Sequence, residues 1–211
     1  MSAPPTTLLE PGRFFAAAAA RLHRAPESAK GAGGDHILNP DLIDDGTVFR
    51  DAAVLIPVVA REPEATVILT ERTPHLTAHA GQIAFPGGKI DATDAGPGAA
   101  ALREAEEEIG LDPALVAIVG YLDPYLSRTG YRIVPVLGRV APGYRLRINP
   151  DEVAAVFEVP LGFLLNPANH RRGRLMFRGR ERYFYEMPFE DRYIWGVTAG
   201  IIRGLYEQVF A

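Results

Sequence analysis

The chain has 211 residues, of which 47% are hydrophobic and 23% are charged, as is typical of one folded domain with extensions and a sizeable core. Its formal net charge of −4 and the lack of a long basic stripe argue against general binding to nucleic acid or to an anionic membrane. The lack of cysteine excludes disulfides, a thiolate zinc site and a cysteine nucleophile, and it fits a cytoplasmic protein.

The N-terminal residues 1–48 are predicted to form an extension that precedes the main domain. Its alanine-rich stretch from about Pro11 to Arg24 favours a helix, and the aperiodic segment Ala25 to Asp35 indicates a linker. Glu10 directly before this stretch argues against a signal peptide. Since no apolar run approaches the ~20 residues of a membrane span, we expect no membrane partner.

The main domain, residues 49–211, is predicted to begin with two buried strands. The apolar runs Ala52 to Ala60 and Thr66 to Arg72 are separated by a short polar turn, which indicates a hairpin. The polar segment Thr73 to Gly88 follows, with a short strand at 83–85 just before its glycines. A loop of this length in a compact domain is often functional.

The next element is a helix that carries an acidic face. The run AAALREAEEEI, Ala99 to Ile109, lacks proline and Gly110 can end it. Glu104, Glu107 and Glu108 lie at positions i, i+3 and i+4, so their carboxylates share one face. Such a face is either solvated or a site for a divalent cation, since clustered carboxylates suit hard ions.

The remaining elements alternate between strands and helices within one core, which predicts an α/β or α+β sandwich. A loop is expected between the first two of the remaining strands. These elements are strands at Val116 to Asp123, Tyr131 to Val140 and Val156 to Val159, a short helix from Pro160, a hairpin from Arg174 to Met187, and an amphipathic helix from Ile194 to Val209.

The segment from Gly88 to Leu111 resembles the Nudix box of the Nudix hydrolases. Gly88, five residues, Asp94, eight residues and then REAEEEIGL from Arg103 follow the pattern, which has Glu in place of Asp94 and one residue fewer before the arginine. The resemblance implies a Nudix-type α/β/α sandwich with a mixed central sheet. It also implies a pyrophosphohydrolase.

The resemblance also implies a metal site. In that family the box glutamates hold divalent cations, Mg²⁺ or Mn²⁺, so the expected ligands are the carboxylates and one carbonyl of four residues: Glu104, Glu107, Glu108 and Gly88. Arg103 lies four residues before Glu107 and can hold its carboxylate. The general base is either a box glutamate or Glu152 on a later loop, and Glu152 could instead only cap a turn. The expected catalytic residues are therefore Arg103, Glu107, Glu108 and Glu152.

The segment before the box resembles the coenzyme A pyrophosphatase subfamily, over about residues 50–205 in all. The matching residues on the substrate side include Arg72, His79, Gly81 and Gln82. The implied substrate is coenzyme A or a derivative, whose phosphates could be met by Arg72, by a protonated His75 or His79, or by Arg128 in another expected loop. In the alternative, Arg72 pairs with a local acid and the histidines, His75 included, only shape the loop.

Two other functions stay open at this stage. One is a Nudix enzyme for another nucleoside diphosphate derivative, such as ADP-ribose or a dinucleotide. The other is a nucleotide-sensing regulator without catalysis, which the intact glutamates disfavour. The sequence does not distinguish a monomer from a homodimer.

Overall fold

The computed structural model describes residues 3–26, 32–43, 46–75, 80–177 and 179–211. The helices in these ranges are α1 Pro11–Arg21, α2 Asp35–Leu38, α3 Pro97–Ile109, α4 Leu161–Leu165 and α5 Val197–Phe210, with 3₁₀ turns at Thr6–Leu9, Pro113–Leu115 and Pro167–Asn169. Within the same ranges, no helix has the length and apolar character that a membrane crossing requires.

The strands form one large mixed sheet and one small antiparallel sheet. They are β1 Gly33–Gly34, β2 Arg50–Val59, β3 Thr66–Arg72, β4 Ile83–Ala84, β5 Gly87–Lys89, β6 Val116–Tyr121, β7 Tyr125–Leu126, β8 Tyr131–Val140, β9 Val153–Pro160, β10 Arg171–Phe177, β11 Arg180–Phe189 and β12 Arg192–Trp195. The large sheet has the order β1-β7-β8-β2-β3-β4, with β5 paired to β2, β6 to β8 and β9 to β3. The parallel pairs β2–β8 and β1–β7 among antiparallel ones confirm the predicted mixed sheet.

Two cores lie on opposite faces of the large sheet, because β2 is apolar on both faces. Leu55 and its neighbours pack with α3, and Ile56 packs on the other side with α1, α4 and α5. A strand that is buried on both faces reads as a continuous apolar run in the sequence. The layers therefore follow the predicted sandwich of helices on either side of a sheet.

Helix α3 positions the acidic face, and local chemistry explains both of its ends. Pro97 lies in the first turn, where its missing N–H costs nothing. Gly110 ends the helix in the left-handed region at φ 66°, and a side chain there would lie 2.9 Å from the backbone nitrogen of Arg147. The buried residues Ala101, Ala105 and Ile109 dock the helix on the sheet. The side chains of Glu104 and Glu108 then lie beside β5.

The structure corrects two predicted helix boundaries and one predicted loop. The last helix begins at Val197 rather than Ile194, because Ile194 belongs to β12 and Gly196 turns the chain at φ 62°. The first helix ends at Arg21 rather than Arg24, since Leu22 is extended and buried against the core. The loop expected after the strand at Val116 contains β7, which pairs with a strand inside the expected linker.

Candidate active site

Two glycines of β5 bring the backbone to the acidic face of α3. Gly87 and Gly88 pair with Val54 and Ala53 in the middle of β2. A side chain at Gly88 would place its Cβ 2.5 Å from the carboxyl carbon of Glu104. A side chain at this position would therefore displace the Glu104 carboxylate from its place beside the strand.

Glu108 is the buried carboxylate of the group, with 3% of its surface exposed. Its Oε2 accepts a hydrogen bond from the Gly87 N–H at 3.3 Å, and its Oε1 lies 3.7 Å from Nη1 of Arg72. Burial raises the pKa of Glu108 to about 8, although Arg72 and the Gly87 N–H act in the opposite direction. The negative charges of Glu152 and Glu104 raise this pKa further. A cation beside Glu108 would favour its charged form.

Arg103 forms hydrogen bonds with the other two box carboxylates, those of Glu104 and Glu107. Its Nη1 donates to Glu104 at 2.9 Å and to Glu107 at 3.1 Å, so the predicted contact between Arg103 and Glu107 is present. Its Nη2 also donates to the Lys89 carbonyl at 3.1 Å, which ties the helix to β5. One guanidinium thus fixes two carboxylates and the strand beside them.

Asp94 is the residue at which the chain departs from the box pattern. Its two oxygens accept bonds from Nε and Nη2 of Arg103 at 3.0 and 2.9 Å, and it also accepts from the Asp91 N–H at 2.8 Å. The Arg103 guanidinium lowers the pKa of Asp94. With both oxygens engaged in this way, Asp94 positions Arg103, which in turn positions the glutamates.

The oxygen donors suit a divalent metal, although Arg103 now engages two of them. Burial raises the pKa of Glu104, while Arg103 lowers it, and the Glu107 side chain is 57% exposed. Among the described residues, no three histidine or acidic side chains already converge as a ready cation site. The chemistry fits Mg²⁺ or Mn²⁺, and a cation there would compete with Arg103 for Glu104 and Glu107.

Glu152 reaches the same site from a different part of the chain. It lies in the turn between β8 and β9, where Asn149 N–H donates to the Glu108 carbonyl at 2.9 Å. The half-buried Glu152 is close enough for its charge to raise the pKa values of both Glu108 and Glu104. Within the described part of the chain, no hydrogen bond or ion pair holds its carboxylate. That carboxylate could therefore accept a proton from water.

The predicted substrate loop opens directly beside this group. Arg72 is the last residue of β3. Its N–H donates to the Gln82 carbonyl at 3.0 Å, and its carbonyl accepts from the Gly81 N–H at 3.1 Å, so the two ends of the loop lie side by side at the site. The side chain of Arg72 lies against Glu108, so the pairing with a local acid that the alternative expected is present. Its buried Nε has no hydrogen-bond partner among the described residues. His79 lies outside the described residues.

Two further candidates have other contacts. Nε2 of His75 lies 3.2 Å from the Asp151 carbonyl, in the turn that carries Glu152. The guanidinium of Arg128, considered for phosphate binding, lies 4.2 Å above the Phe177 ring. His75 is therefore next to the site, whereas Arg128 packs on the small sheet.

The comparisons with known proteins agree on the family. The profile of the NUDIX domain matches residues 49–178. The uncharacterized Nudix hydrolase NudL of Escherichia coli K12 is 44% identical over 173 residues, which cover 82% of this chain and 90% of that protein. NudL of Shigella boydii serotype 4 has the same identity and coverage.

Solved structures with a similar fold share less of the sequence. An Ap4A hydrolase of C. elegans in a binary complex is 16% identical, with 52% of this chain and 80% of that chain covered and a TM-score of 0.46. The NUDIX domain of Shewanella oneidensis NrtR, complexed with ADP ribose, is 20% identical, with 62% and 84% covered and a TM-score of 0.43. At these values neither structure bears on the substrate of this chain.

Nudix enzymes act on small nucleotide substrates and generally use divalent metal ions. The NUDIX profile spans more than half of the chain, and the curated relatives match it over most of their length. The described chain also brings the box glutamates, their arginine and two glycines together where α3 lies beside β5. This chain therefore belongs to the Nudix hydrolase family and is a pyrophosphohydrolase.

Proposed function

We propose that the enzyme cleaves the diphosphate of coenzyme A or acyl-coenzyme A to 3′,5′-ADP and 4′-phosphopantetheine or its acyl derivative. The observation that carries this proposal is the position of Arg72, whose guanidinium lies 3.7 Å from Glu108. The loop that resembles the coenzyme A pyrophosphatases thus opens at the box itself. A ligand held by this loop would present its diphosphate to the glutamates.

The residues that would hold Mg²⁺ or Mn²⁺ are the carboxylates of Glu104, Glu107 and Glu108 together with the Gly88 carbonyl. When bound, the metal neutralises charge on the diphosphate oxygens and lowers the pKa of a bound water. Arg103 sets the directions of Glu104 and Glu107 through its hydrogen bonds of 2.9 and 3.1 Å. Asp94 in turn fixes Arg103.

Glu152 is the general base in this proposal. Glu104, Glu107 and Glu108 share one face of α3 beside β5, so these three are assigned as ligands, with the metal replacing the contacts of Arg103 to Glu104 and Glu107. Glu152 lies near enough for its charge to act on Glu108 and Glu104, and its carboxylate has no hydrogen bond among the described residues, which leaves an oxygen for water. A box glutamate as the base is the alternative, and it predicts that Glu152→Gln keeps its turnover.

Arg72 is the residue proposed to contact phosphate. Its side chain is 26% exposed, so part of it can face a ligand while Nη1 faces Glu108. An arginine and a phosphate can form two parallel charge-assisted hydrogen bonds.

Product analysis tests this function. Purified enzyme with Mg²⁺ or Mn²⁺ is incubated with coenzyme A, ADP-ribose and a diadenosine polyphosphate, and the products are identified by mass spectrometry. We expect 3′,5′-ADP and 4′-phosphopantetheine from coenzyme A. Cleavage of ADP-ribose or the dinucleotide without cleavage of coenzyme A would contradict the proposed substrate, and no cleavage of any of them would favour a regulator.

A further inference from the structure

The turn Asn149 to Glu152, here called the Glu152 turn, is built from short-range hydrogen bonds. The Asn149 side chain accepts from the Asp151 N–H at 3.2 Å, and the Asn149 carbonyl accepts from the Glu152 N–H at 3.2 Å. On one side the turn is fixed to the end of α3, where Asn149 N–H donates to the Glu108 carbonyl. This hydrogen bond fixes the start of the turn. Its last two residues, Asp151 and Glu152, are held by other contacts.

Thr73 holds these two residues with both its backbone and its side chain. The Thr73 N–H donates to the Glu152 carbonyl at 3.0 Å, and its hydroxyl donates to the Asp151 carbonyl at 3.3 Å. Only 3% of Thr73 is exposed, so both bonds are shielded from water. Thr73 directly follows Arg72 and is the first residue of the substrate loop.

The restraint acts on the backbone of the turn from two neighbouring elements. The Asn149 N–H ties the start of the turn to the Glu108 carbonyl at 2.9 Å, and the Thr73 N–H ties the Glu152 carbonyl to the end of β3 at 3.0 Å. The Asp151 carbonyl has two side-chain contacts, with the Thr73 hydroxyl at 3.3 Å and with Nε2 of His75 at 3.2 Å. The Glu152 backbone is therefore held between α3 and β3.

We infer that Thr73 is a positioning residue, which holds the Glu152 turn in the place beside α3 from which Glu152 acts on water. This inference rests on the proposed function, in which Glu152 is the base. A displaced base slows proton transfer more than it weakens substrate binding. Loss of the Thr73 hydroxyl should therefore lower kcat while KM changes little.

The test compares Thr73→Val, which keeps the shape and the N–H but removes the hydroxyl, with Thr73→Ser, which restores the hydroxyl. Thr198→Val is the matched control, because the Thr198 hydroxyl is also buried and donates to a carbonyl, that of Ile83, at 2.9 Å. We expect Thr73→Val to lower kcat about tenfold with KM within about twofold of wild type. Thr73→Ser should recover most of kcat, and Thr198→Val should lose melting temperature but keep kcat. Thr73→Ala serves as a second variant if Thr73→Val folds poorly.

A double-mutant cycle with Glu152→Gln decides whether Thr73 acts through Glu152. We expect Thr73→Val to lower kcat in the wild type and to have no further effect in the Glu152→Gln enzyme. An equal loss in both backgrounds, or no loss of kcat in Thr73→Val, would overturn the inference. A Glu152→Gln enzyme with wild-type kcat would overturn it together with the assignment of the base.

The choice of substrate separates this result from the proposed function. The cycle is measured on coenzyme A and on ADP-ribose, with whichever the wild-type enzyme cleaves faster as the reference. Faster cleavage of ADP-ribose would refute coenzyme A as the substrate, while the cycle on ADP-ribose would still decide the role of Thr73. An enzyme inactive on both would refute the function and the inference together.

Discussion

At the scale of single residues, the site depends on burying a carboxylate where the fold supplies only part of the compensating charge. Glu108 is 3% exposed, and its pKa of about 8 lies above the ordinary 4.5. The fold therefore favours the protonated form. The associated stability is fully present below about pH 4.5 and is lost as the pH rises through 8.

The first prediction follows from this pKa. In the presence of a chelator, Glu108→Gln should raise the melting temperature by a few degrees at pH 8.5, because the variant carries no buried charge, and by much less at pH 5. With metal present, the same variant should lose about a hundredfold or more in kcat. Thermal melts at the two pH values check the first part, and an equal gain at both would contradict it. Near-normal turnover would contradict the metal site.

A second prediction concerns Arg72. If it binds the 3′-phosphate of coenzyme A, a bidentate charge-assisted contact worth ~1.5–3 kcal/mol gives about a ten- to hundredfold preference over dephospho-coenzyme A. Arg72→Ala should shrink this preference, whereas Arg128→Ala should leave it unchanged, since Arg128 packs on Phe177. The measurement is the ratio of kcat/KM on the two substrates for each variant. A ratio near one in the wild type would exclude a site for the 3′-phosphate.

At the scale of elements, β9 carries the Glu152 turn at one end and a charged network at the other. Near its C-terminal end, Glu158 accepts hydrogen bonds from Arg61, Thr66 and Tyr144, which connect β9 to the turn after β2, to β3 and to the loop after β8. The Arg61 guanidinium lowers the pKa of Glu158 to about 2, with Thr66 and Tyr144 acting in the same direction. This network fixes the strand whose other end places Glu152.

The pH dependence of stability tests this network. Because the pKa of Glu158 is lowered from 4.5, its contribution is present above about pH 4.5 and is lost as the pH falls toward 2. Arg61 is 43% exposed, so solvent screening limits the contribution to about 1–2 kcal/mol. Melting curves of Glu158→Gln should show a deficit at pH 7 that shrinks at pH 3. A deficit of the same size at both would refute the assignment.

The sequence predicted elements well where one periodicity dominated and poorly where neighbours decided. Strands β3 and β8 were predicted with the bounds observed, because their apolar patterns are strong and turn residues flank them. Helix α3 was also predicted, although it begins two residues earlier than expected. Ile194 fits the apolar face of α5 but lies in β12, since the face continues across the Gly196 turn. Periodicity alone cannot locate such a turn.

The site shows the same division between local and distant information. The contact of Arg103 with Glu107 follows from helical spacing. The hydrogen bonds from Thr73 to the Glu152 turn join residues far apart in the chain, so no local sequence pattern predicted them. Asp94 was visible only as a departure from a pattern, and its bonds to Arg103 required coordinates.

At the scale of the whole molecule, the N-terminal extension shares a core with the rest of the chain. Phe14 and Ala18 of α1 are fully buried in the same cluster as Leu205 of α5. We propose that residues 1–48 form an extension to the domain at 49–211 and that the stability of the protein depends on the packing of this extension. The helix therefore adds apolar surface to the layer opposite α3.

Truncation of a buried ring measures this dependence. Phe14→Ala should destabilise the protein by about 3–5 kcal/mol, because the ring is fully buried and leaves a cavity. Ala16→Ser on the exposed side of α1 is the control and should change stability by less than about 0.5 kcal/mol. Urea unfolding of both variants gives the two free energies. A Phe14→Ala protein as stable as the control would show that the extension adds little to the core.

The proposal that this pyrophosphohydrolase acts on coenzyme A is tested by the ratio of kcat/KM on coenzyme A to kcat/KM on ADP-ribose. Both substrates carry an adenosine diphosphate, so the ratio reports what the protein recognises beyond that shared part. We predict a ratio of about ten or more for the wild-type enzyme with saturating Mg²⁺ or Mn²⁺. A ratio below one would refute coenzyme A as the preferred substrate.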